Sequence, residues 1–306
     1  MKAVAVTEFG GPEVLTVVEL DEPHAGPGEV RIKVAAAAVN PTDTGLRAGL
    51  YGLAAPVIPG MDAAGVIDEV GDGSDWALGD QVMAVLSPRG PRGGAYAEYI
   101  VVPALSAARI PAGTDLVSAA TLPMNGLTAR RTLDQLALKP GDTLAVTGSA
   151  GAYGGYVIEL AKADGLRVIA DASLADEDLV KSLGADVIVR RGADVADRIR
   201  ELVPNGVDAL ADGAVLDAAV LPAIKDGGGL ATVRGWSGPT ERGITIFPTL
   251  VSAYFTNQAA LDTLREQAEK GVITLRVAGT FPPEAAAAAH RQLEAGGTRG
   301  RLVIVF

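Results

Sequence analysis

Residues 143–173 narrow the fold more than any other part of the chain. An apolar run at 144–147 leads into Gly148-x-x-Gly151-x-x-Gly154, a helical run follows to Ala163, and a second apolar run ends at Asp171. That order is strand, glycine-rich turn, helix, strand. The ideal dinucleotide-binding fingerprint has glycines at its first, third and sixth positions, and this spacing departs from it. The mechanical need is met all the same. A glycine turn lets backbone N–H groups approach a pyrophosphate, and the positive end of the next helix points at it. Gly154 and Gly155 let that helix pack closely on the strands. Within a complete β–turn–α–β pattern, a dinucleotide site is favoured over a turn that is only structural.

Composition sets the outer limits. The chain has 306 residues, enough for two domains, and 48% of them are hydrophobic, enough for a sizeable core. A net charge of −11 disfavours nucleic acid and anionic membranes as partners. There is no cysteine, which excludes disulfides, thiol catalysis and cysteine-ligated zinc. The only histidines are His24 and His290, so a histidine-rich metal site is excluded as well. The apolar run at the N-terminus is too short for a signal peptide. The longest uncharged window, 243–261, contains Pro248, Asn257 and Gln258 and suits buried strands better than a membrane helix. A soluble cytoplasmic protein is expected.

The first third reads as β structure, with short apolar or alternating runs split by Gly/Pro turns. A partly open barrel or sandwich is expected there. Residues 86–94, with Pro88, Pro91 and three glycines, form a loop carrying Arg89 and Arg92. From Asp115 the period changes. Helix is predicted over 117–138, interrupted near Pro123, followed by strands at 143–147, 166–171, 186–189, 207–211 and 229–233 with helices between. Such alternation means a parallel sheet covered on both faces, a doubly wound α/β domain. Two more strands are read at 244–247 and 250–255. The expected organisation is a β-rich domain over 1–116, a dinucleotide-binding domain over 117–256, and a tail over 257–306 that returns to complete the first domain. The cleft between the domains is the default ligand site.

In this order the parts resemble a known family over essentially the whole chain: the zinc-free quinone oxidoreductase branch of the medium-chain dehydrogenase/reductase superfamily. Val39-Asn40-Pro41-Thr-Asp43 matches the Asn-Pro-x-Asp segment that replaces a zinc-binding cysteine in zinc alcohol dehydrogenases. Pro59-Gly60-Met-Asp62-Ala-Ala-Gly65, Gly79-Asp80-Gln-Val82 and Gly94-Ala-Tyr96-Ala-Glu98-Tyr99 match three further signatures. Leu122-Pro123-x-x-Gly126-Leu-Thr128-Ala129 and Lys139-Pro140-Gly141-Asp142 lead into the glycine turn, and Ala289-His290 and Gly300-Arg301 close the chain.

The resemblance implies a GroES-like β-rich catalytic domain, a Rossmann domain, a nicotinamide cofactor and a homodimer. It implies hydride transfer to a quinone or an activated C=C bond. By motif, Asn40 lies beside the nicotinamide and substrate, and Thr128 contacts the cofactor. Both are the expected catalytic residues. Gly148, Ser149, Ala150, Gly151, Ala152 and Tyr153 form the pyrophosphate turn, and Gly235 and Trp236 line the cofactor. Phe255 and Arg301 complete the expected cofactor shell. Two departures stand out. Relatives often carry a tyrosine where this chain has Gly45, which removes a phenol that could donate a proton or stack on a quinone. NADPH-binding relatives commonly carry a lysine where this chain has Asp176. Ser173 and Arg191 then remain as partners of a 2′-phosphate. Asp171 ends strand two, but alignment puts Ala172 at the family's ribose-reading position, so Asp171 is expected to turn from the ribose.

Blander readings stand beside these. Asn40 precedes a proline and could only cap a turn. Thr128 could bond its own helix backbone. Tyr51, Tyr96 and Tyr254 read as packing residues, Asp62 as a hydrogen-bonded structural carboxylate, and Arg89 and Arg92 as solvated loop charges or a gate over the substrate. Short-chain dehydrogenases are excluded by a direct count. They need Tyr-x-x-x-Lys, and four residues after each tyrosine stand Ala55, Ile100, Pro103, Val157, Leu160 and Gln258. The leading expectation is an NADPH-dependent, metal-free reductase of a quinone or α,β-unsaturated carbonyl, with NADH as the alternative cofactor. A pathway-specific enoyl or ketone reductase is the enzymatic alternative. A weakly catalytic cofactor-binding sensor or structural protein is the alternative of another class.

Overall fold

The computed structural model describes residues 1–306. In chain order the first elements are β1 (Lys2–Val6), β2 (Leu15–Glu19), β3 (Glu29–Ala38), α1 (Pro41–Arg47), β4 (Asp62–Val70), β5 (Gln81–Val85), β6 (Tyr99–Pro103) and β7 (Ala107–Arg109). Then come α2 (Leu116–Ala119), α3 (Pro123–Leu136), β8 (Thr143–Thr147), α4 (Ala152–Ala163), β9 (Arg167–Ala172), α5 (Glu177–Ser182), β10 (Val187–Arg190), α6 (Val195–Leu202), β11 (Val207–Asp212), β12 (Ile224–Thr232) and β13 (Thr245–Pro248). The chain closes with α7 (Gln258–Glu269), β14 (Val277–Phe281), α8 (Ala286–Glu294) and β15 (Arg301–Val305). It folds as two compact units: Met1–Met124, Ser252–Lys270 and Leu275–Phe306 form the first, and Asn125–Val251 with Gly271–Thr274 the second. No helix is long and apolar enough to cross a membrane.

The first unit is organised around β3. One edge of this strand pairs with β4; the other pairs with β6 along Glu29–Lys33 and with β15 along Ala36–Ala38. Two register shifts in the β3–β4 ladder bend the strand so that it serves both partners. Gly65 of β4 sits at the second shift, where a Cβ would run into the Lys33 carbonyl. Val30, Ile32, Val34 and, past the register shift, Ala37 turn inward from β3, and the core they form takes in residues of α8 and β15 from the far end of the sequence.

The second unit is a six-stranded sheet in the order β10-β9-β8-β11-β12-β13, parallel throughout. Its central strands are buried apolar runs, as a sheet covered on both faces requires. The order runs outward on both sides of β8 and β11, so the topological switch point falls between these two strands. One predicted strand is absent. Residues 250–255 were expected to extend, but Val251–Tyr254 is a 3₁₀ turn, and the edge strand is β13. Pro248 sits where its missing N–H faces the open edge, and Thr249 makes the final ladder bond, to the Thr232 carbonyl at 2.8 Å. The segment expected as a helix from Val215 is likewise a 3₁₀ turn, Asp217–Ala223, with Pro222 inside it.

A buried polar chain ties α1 to α8 within the first unit. Asp43, wholly buried, accepts from the Asn40 and Gly60 N–H groups at 2.8 Å each and from the Tyr96 hydroxyl at 3.2 Å. The Tyr96 oxygen is also 3.2 Å from Nε2 of His290, and Nη1 of Arg47 is 3.3 Å from Nδ1 of the same ring. Only one proton arrangement satisfies all three contacts. Tyr96 donates to Asp43, a neutral His290 donates from Nε2 to Tyr96, and Arg47 donates to Nδ1.

Burial, together with the Arg47 cation, holds His290 neutral, with its pKa lowered from 6.5 to about 3. As pH falls below 6.5 the unfolded chain gains this proton and the folded chain does not, so stability falls. Burial pushes Asp43 the opposite way, from 3.8 up to about 6. Its folded form gains a proton first, so its contribution is largest at low pH and is lost as pH rises through that window. His290→Gln keeps a donor and an acceptor but removes the first slope. From pH 6.5 to 4.5, urea unfolding should show wild-type stability falling relative to this variant. Identical pH slopes in the two proteins would refute the neutral-histidine assignment.

Candidate active site

In the second unit, the carboxyl ends of β8, β11 and β12 lie in register, with Asp212 beside both Thr147 and Thr232. The Thr147 hydroxyl donates to Asp212 at 2.6 Å, and Asp212 in turn accepts from the Ala214, Leu216 and Asp217 N–H groups. Gly148 follows Thr147 at φ +66°, and a Cβ there would lie 2.7 Å from the carbonyl carbon of Gly213. A Cβ on Gly213 would lie 2.8 Å from the Thr147 carbonyl oxygen and 2.9 Å from the Tyr153 ring. Two glycines therefore face each other at the switch point, and neither tolerates a side chain. The motif reading missed Gly213; its only signal was an Asp-Gly pair closing an apolar strand.

Helix α4 begins with Gly151 as its N-cap and has no side-chain oxygen to cap it. The N–H groups of Ala152 and Tyr153 have no protein acceptor. A nicotinamide dinucleotide fits this cradle, because its pyrophosphate supplies the anionic acceptors that a bare helix start lacks. Ser149 takes part through structure rather than contact. Its hydroxyl donates to the Val146 carbonyl at 2.9 Å and its N–H to Asp171 at 3.0 Å. Tyr153 is held by Thr132 at 2.8 Å, which is itself 3.3 Å from the Thr249 hydroxyl.

Asp171, Ser149 and Arg191 come together, but not as the sequence suggested. Asp171 is buried and points back at the turn, accepting from Ser149 and, at 3.1 Å, from Nε of Arg191. The two Nη nitrogens of Arg191 have no protein partner, and the side chain is 39% exposed. The Ser173 hydroxyl donates to Asp176 at 2.5 Å. Gly235 and Trp236 follow β12 in a tight turn with Arg234 and Gly235 both at positive φ, closed by the Thr232 hydroxyl on the Trp236 carbonyl at 2.6 Å.

In the first unit, Asn40 caps α1 and is 3% exposed. Its amide nitrogen donates to Asp62 at 2.8 Å and to the Ala38 carbonyl at 3.3 Å. Both neighbours are acceptors, which settles which end of the amide is nitrogen. Asn40 therefore presents only its oxygen, as a hydrogen-bond acceptor. Asp62 also accepts from Arg301 at 2.8 Å and from the Met124 N–H. The Arg301 guanidinium is buried among Asp62 and the Thr121 and Val39 carbonyls of this unit. Phe255 lies in the turn before α7 and belongs to the first unit. Thr128 is half-buried on α3, in the second unit. No group of three or more His, Cys, Asp or Glu side chains could hold a metal.

The glycines make separable demands. A Cβ on Gly154 would lie 2.8 Å from the Ser149 Cα, whereas on Gly151 the nearest atom is the Gly148 carbonyl oxygen at 3.1 Å. Gly154→Ala should cost about 1–3 kcal/mol of stability, and Gly151→Ala far less while still weakening cofactor binding. Thermal melts with parallel cofactor titration check this; equal destabilisation by both would contradict the geometry.

Comparison with known proteins agrees with this fold and turn. Residues 26–112 match the family model of the alcohol dehydrogenase GroES-like domain, and residues 183–304 that of zinc-binding dehydrogenase. Human quinone oxidoreductase is 30% identical, with 100% of this chain and 98% of the relative aligned. A chloroplastic NADPH-dependent alkenal/one oxidoreductase of Arabidopsis thaliana is 31% identical, with 99% of this chain and 79% of the relative aligned. A mycobacterial protein solved in complex with NADPH shares 31% identity and superimposes with a TM-score of 0.90 over 100% of both chains. With glycine turn, sheet order and full-length similarity in accord, the chain belongs to the quinone oxidoreductase branch of the medium-chain dehydrogenase/reductase superfamily and is a nicotinamide-dependent oxidoreductase.

Proposed function

We propose that this protein is an NADPH-dependent reductase of quinones or α,β-unsaturated carbonyls. The observation that carries the reading is the glycine cradle at the switch point, with the uncapped start of α4 on one side and the half-free Arg191 guanidinium at the end of β10. The relatives named for quinones and for alkenals and enones support the acceptor class, since both are electron-poor conjugated systems.

When bound, the reduced nicotinamide supplies a hydride. The protein's part is to hold and orient. Gly148, Gly151 and Gly213 keep side chains away from the pyrophosphate, and the Ala152 and Tyr153 N–H groups donate to it. Asp171 fixes Arg191 through Nε, leaving two Nη groups in the geometry that a 2′-phosphate accepts. Asn40, held by Asp62, offers an acceptor oxygen. That suits an amide N–H or a ribose hydroxyl and cannot stabilise a forming enolate by donation. Asn40 is thus a positioning group, and Thr128 is proposed as a second cofactor contact. Gly235 and Trp236 sit at the same end of the sheet as the turn and are proposed to line the cofactor. Asp176 opposes the phosphate reading electrostatically, but it is buried and bonded to Ser173.

Cofactor oxidation with a panel of quinones and enones tests the activity, and loss of all turnover with intact cofactor binding would favour a sensor role. The ratio of kcat/KM for NADPH over NADH should exceed one and drop about tenfold or more in Arg191→Ala, as expected for a charged hydrogen bond worth ~1.5–3 kcal/mol. A wild-type preference for NADH would overturn the cofactor assignment.

The homodimer is proposed to form through β13, an edge strand of the sheet. Sedimentation should then show a dimer at micromolar concentration. Ile246→Pro, which removes the N–H that points away from β12, should weaken it.

A further inference from the structure

The glycines that open the turn at the switch point also leave it loose. Gly148, Gly151, Gly154 and Gly155 bring little conformational restraint of their own. A helix start is ordinarily held by a capping side chain, and Gly151 has none to give. The backbone N–H groups of Ala152 and Tyr153 must nevertheless stand in fixed directions if a pyrophosphate is to dock without first ordering them. The structure supplies another anchor, the side chain of Tyr153, the second residue of α4.

The Tyr153 hydroxyl lies 2.8 Å from Oγ1 of Thr132 on α3, and that oxygen lies 3.3 Å from Oγ1 of Thr249. Thr249 donates to Oε1 of Gln135, one turn along α3 from Thr132, at 3.2 Å. The order of the protons follows from this far end. An amide oxygen can only accept, so Thr249 spends its proton on Gln135, Thr132 donates to Thr249, and Tyr153 donates to Thr132. Burial pushes the Tyr153 phenol above its ordinary pKa and keeps that proton in place. Thr132 and Thr249 are buried, and the Thr249 N–H is already fixed by its ladder bond to Thr232. The row of hydroxyls is therefore anchored to α3 and to the end of the sheet. The Tyr153 ring also abuts Gly213, where a Cβ would lie 2.9 Å from Cδ1 and 3.3 Å from Cε1. One side chain thus bears on the turn after β11 and ties the start of α4 to α3.

We propose that Tyr153 is a positioning residue for the cofactor: its hydroxyl, through Thr132, Thr249 and Gln135, presets the uncapped start of α4 against the Gly213 turn, so that the Ala152 and Tyr153 N–H groups are aligned before a pyrophosphate arrives. The hydroxyl acts through the helix rather than by contact, since its proton is spent on Thr132. The proposal rests on the cofactor reading above, and its test is arranged so that the two can fail separately.

Tyr153→Phe keeps the ring against Gly213 and removes the hydroxyl. Thr132→Val breaks the row from its other side, and Thr132→Ser keeps the hydroxyl there. Binding to the full chain is measured for NADPH by fluorescence titration and for adenosine 2′-monophosphate by calorimetry. The second ligand shares the adenosine and the 2′-phosphate but has no pyrophosphate. Tyr153→Phe and Thr132→Val should each weaken NADPH about three- to tenfold, as for the loss of one hydrogen bond, and leave adenosine 2′-monophosphate unchanged. Combined, they should cost little more than either alone, because both break the same bond. Thr132→Ser should bind NADPH as wild type does. A merely structural role would lower the melting temperature and leave the ratio of the two affinities where it was; that result, or additive losses in the double variant, overturns the proposal. Wild type that binds NADPH, with both variants unchanged, sinks the positioning role alone. Wild type that binds no NADPH sinks the cofactor assignment on which that role stands.

Discussion

Asp62 has no solvent contact, and an ionised carboxylate cannot be buried cheaply without partners. Its oxygens are satisfied by the Met124 N–H at the start of α3, by the Asn40 amide after β3, and by the Arg301 guanidinium of β15. Three segments remote in sequence are thereby fixed about one charge. The pair with Arg301 is itself fully desolvated, so removing either partner would strand the other, a loss of several kcal/mol by analogy with other buried pairs. The orientation of the Asn40 amide follows from this arrangement. Because Asp62 takes its nitrogen, Asn40 can only accept, and that limits its chemistry to positioning.

The second unit solves a different problem with the same economy of charge. A dinucleotide brings two or three negative groups to a protein that is already acidic. In the proposed binding mode the turn offers a pyrophosphate uncharged backbone donors and the end of a helix, which suits a turn dominated by glycines rather than basic side chains. Asp171 would be a poor neighbour for another anion, but it is turned inward, bonded to Ser149 and paired with Arg191. The pair presents its positive end outward. Ser173 and Asp176 close on each other.

The polar chain from Asp43 through Tyr96 to His290 shows how neighbouring groups set protonation. Burial raises the carboxyl and lowers the imidazole, so each is pushed toward its neutral form, and hydrogen bonds then fix the tautomer. His290 on α8 joins Arg47 and Tyr96 within the first unit.

The sequence by itself determined most of the element order, the β–turn–α–β core of the second unit and the glycines of its turn, because these depend on local backbone sterics and on hydrophobic period. It also carried enough joint motif content to point to the family. Tertiary structure alone decided which side chains meet. Nothing local reveals that Asp62, 239 positions away, claims Arg301. Gly213 and Asp212 escaped because they act only when β11 lies beside β8. Residues 250–255 looked like a strand by composition, yet the chain leaves the sheet after Thr249 and turns in a 3₁₀ turn at Val251–Tyr254. Tyr51 read as a packing residue, and only the chain reversal after α1, with Gly49 at positive φ, brings it over Gly45 and under Arg89.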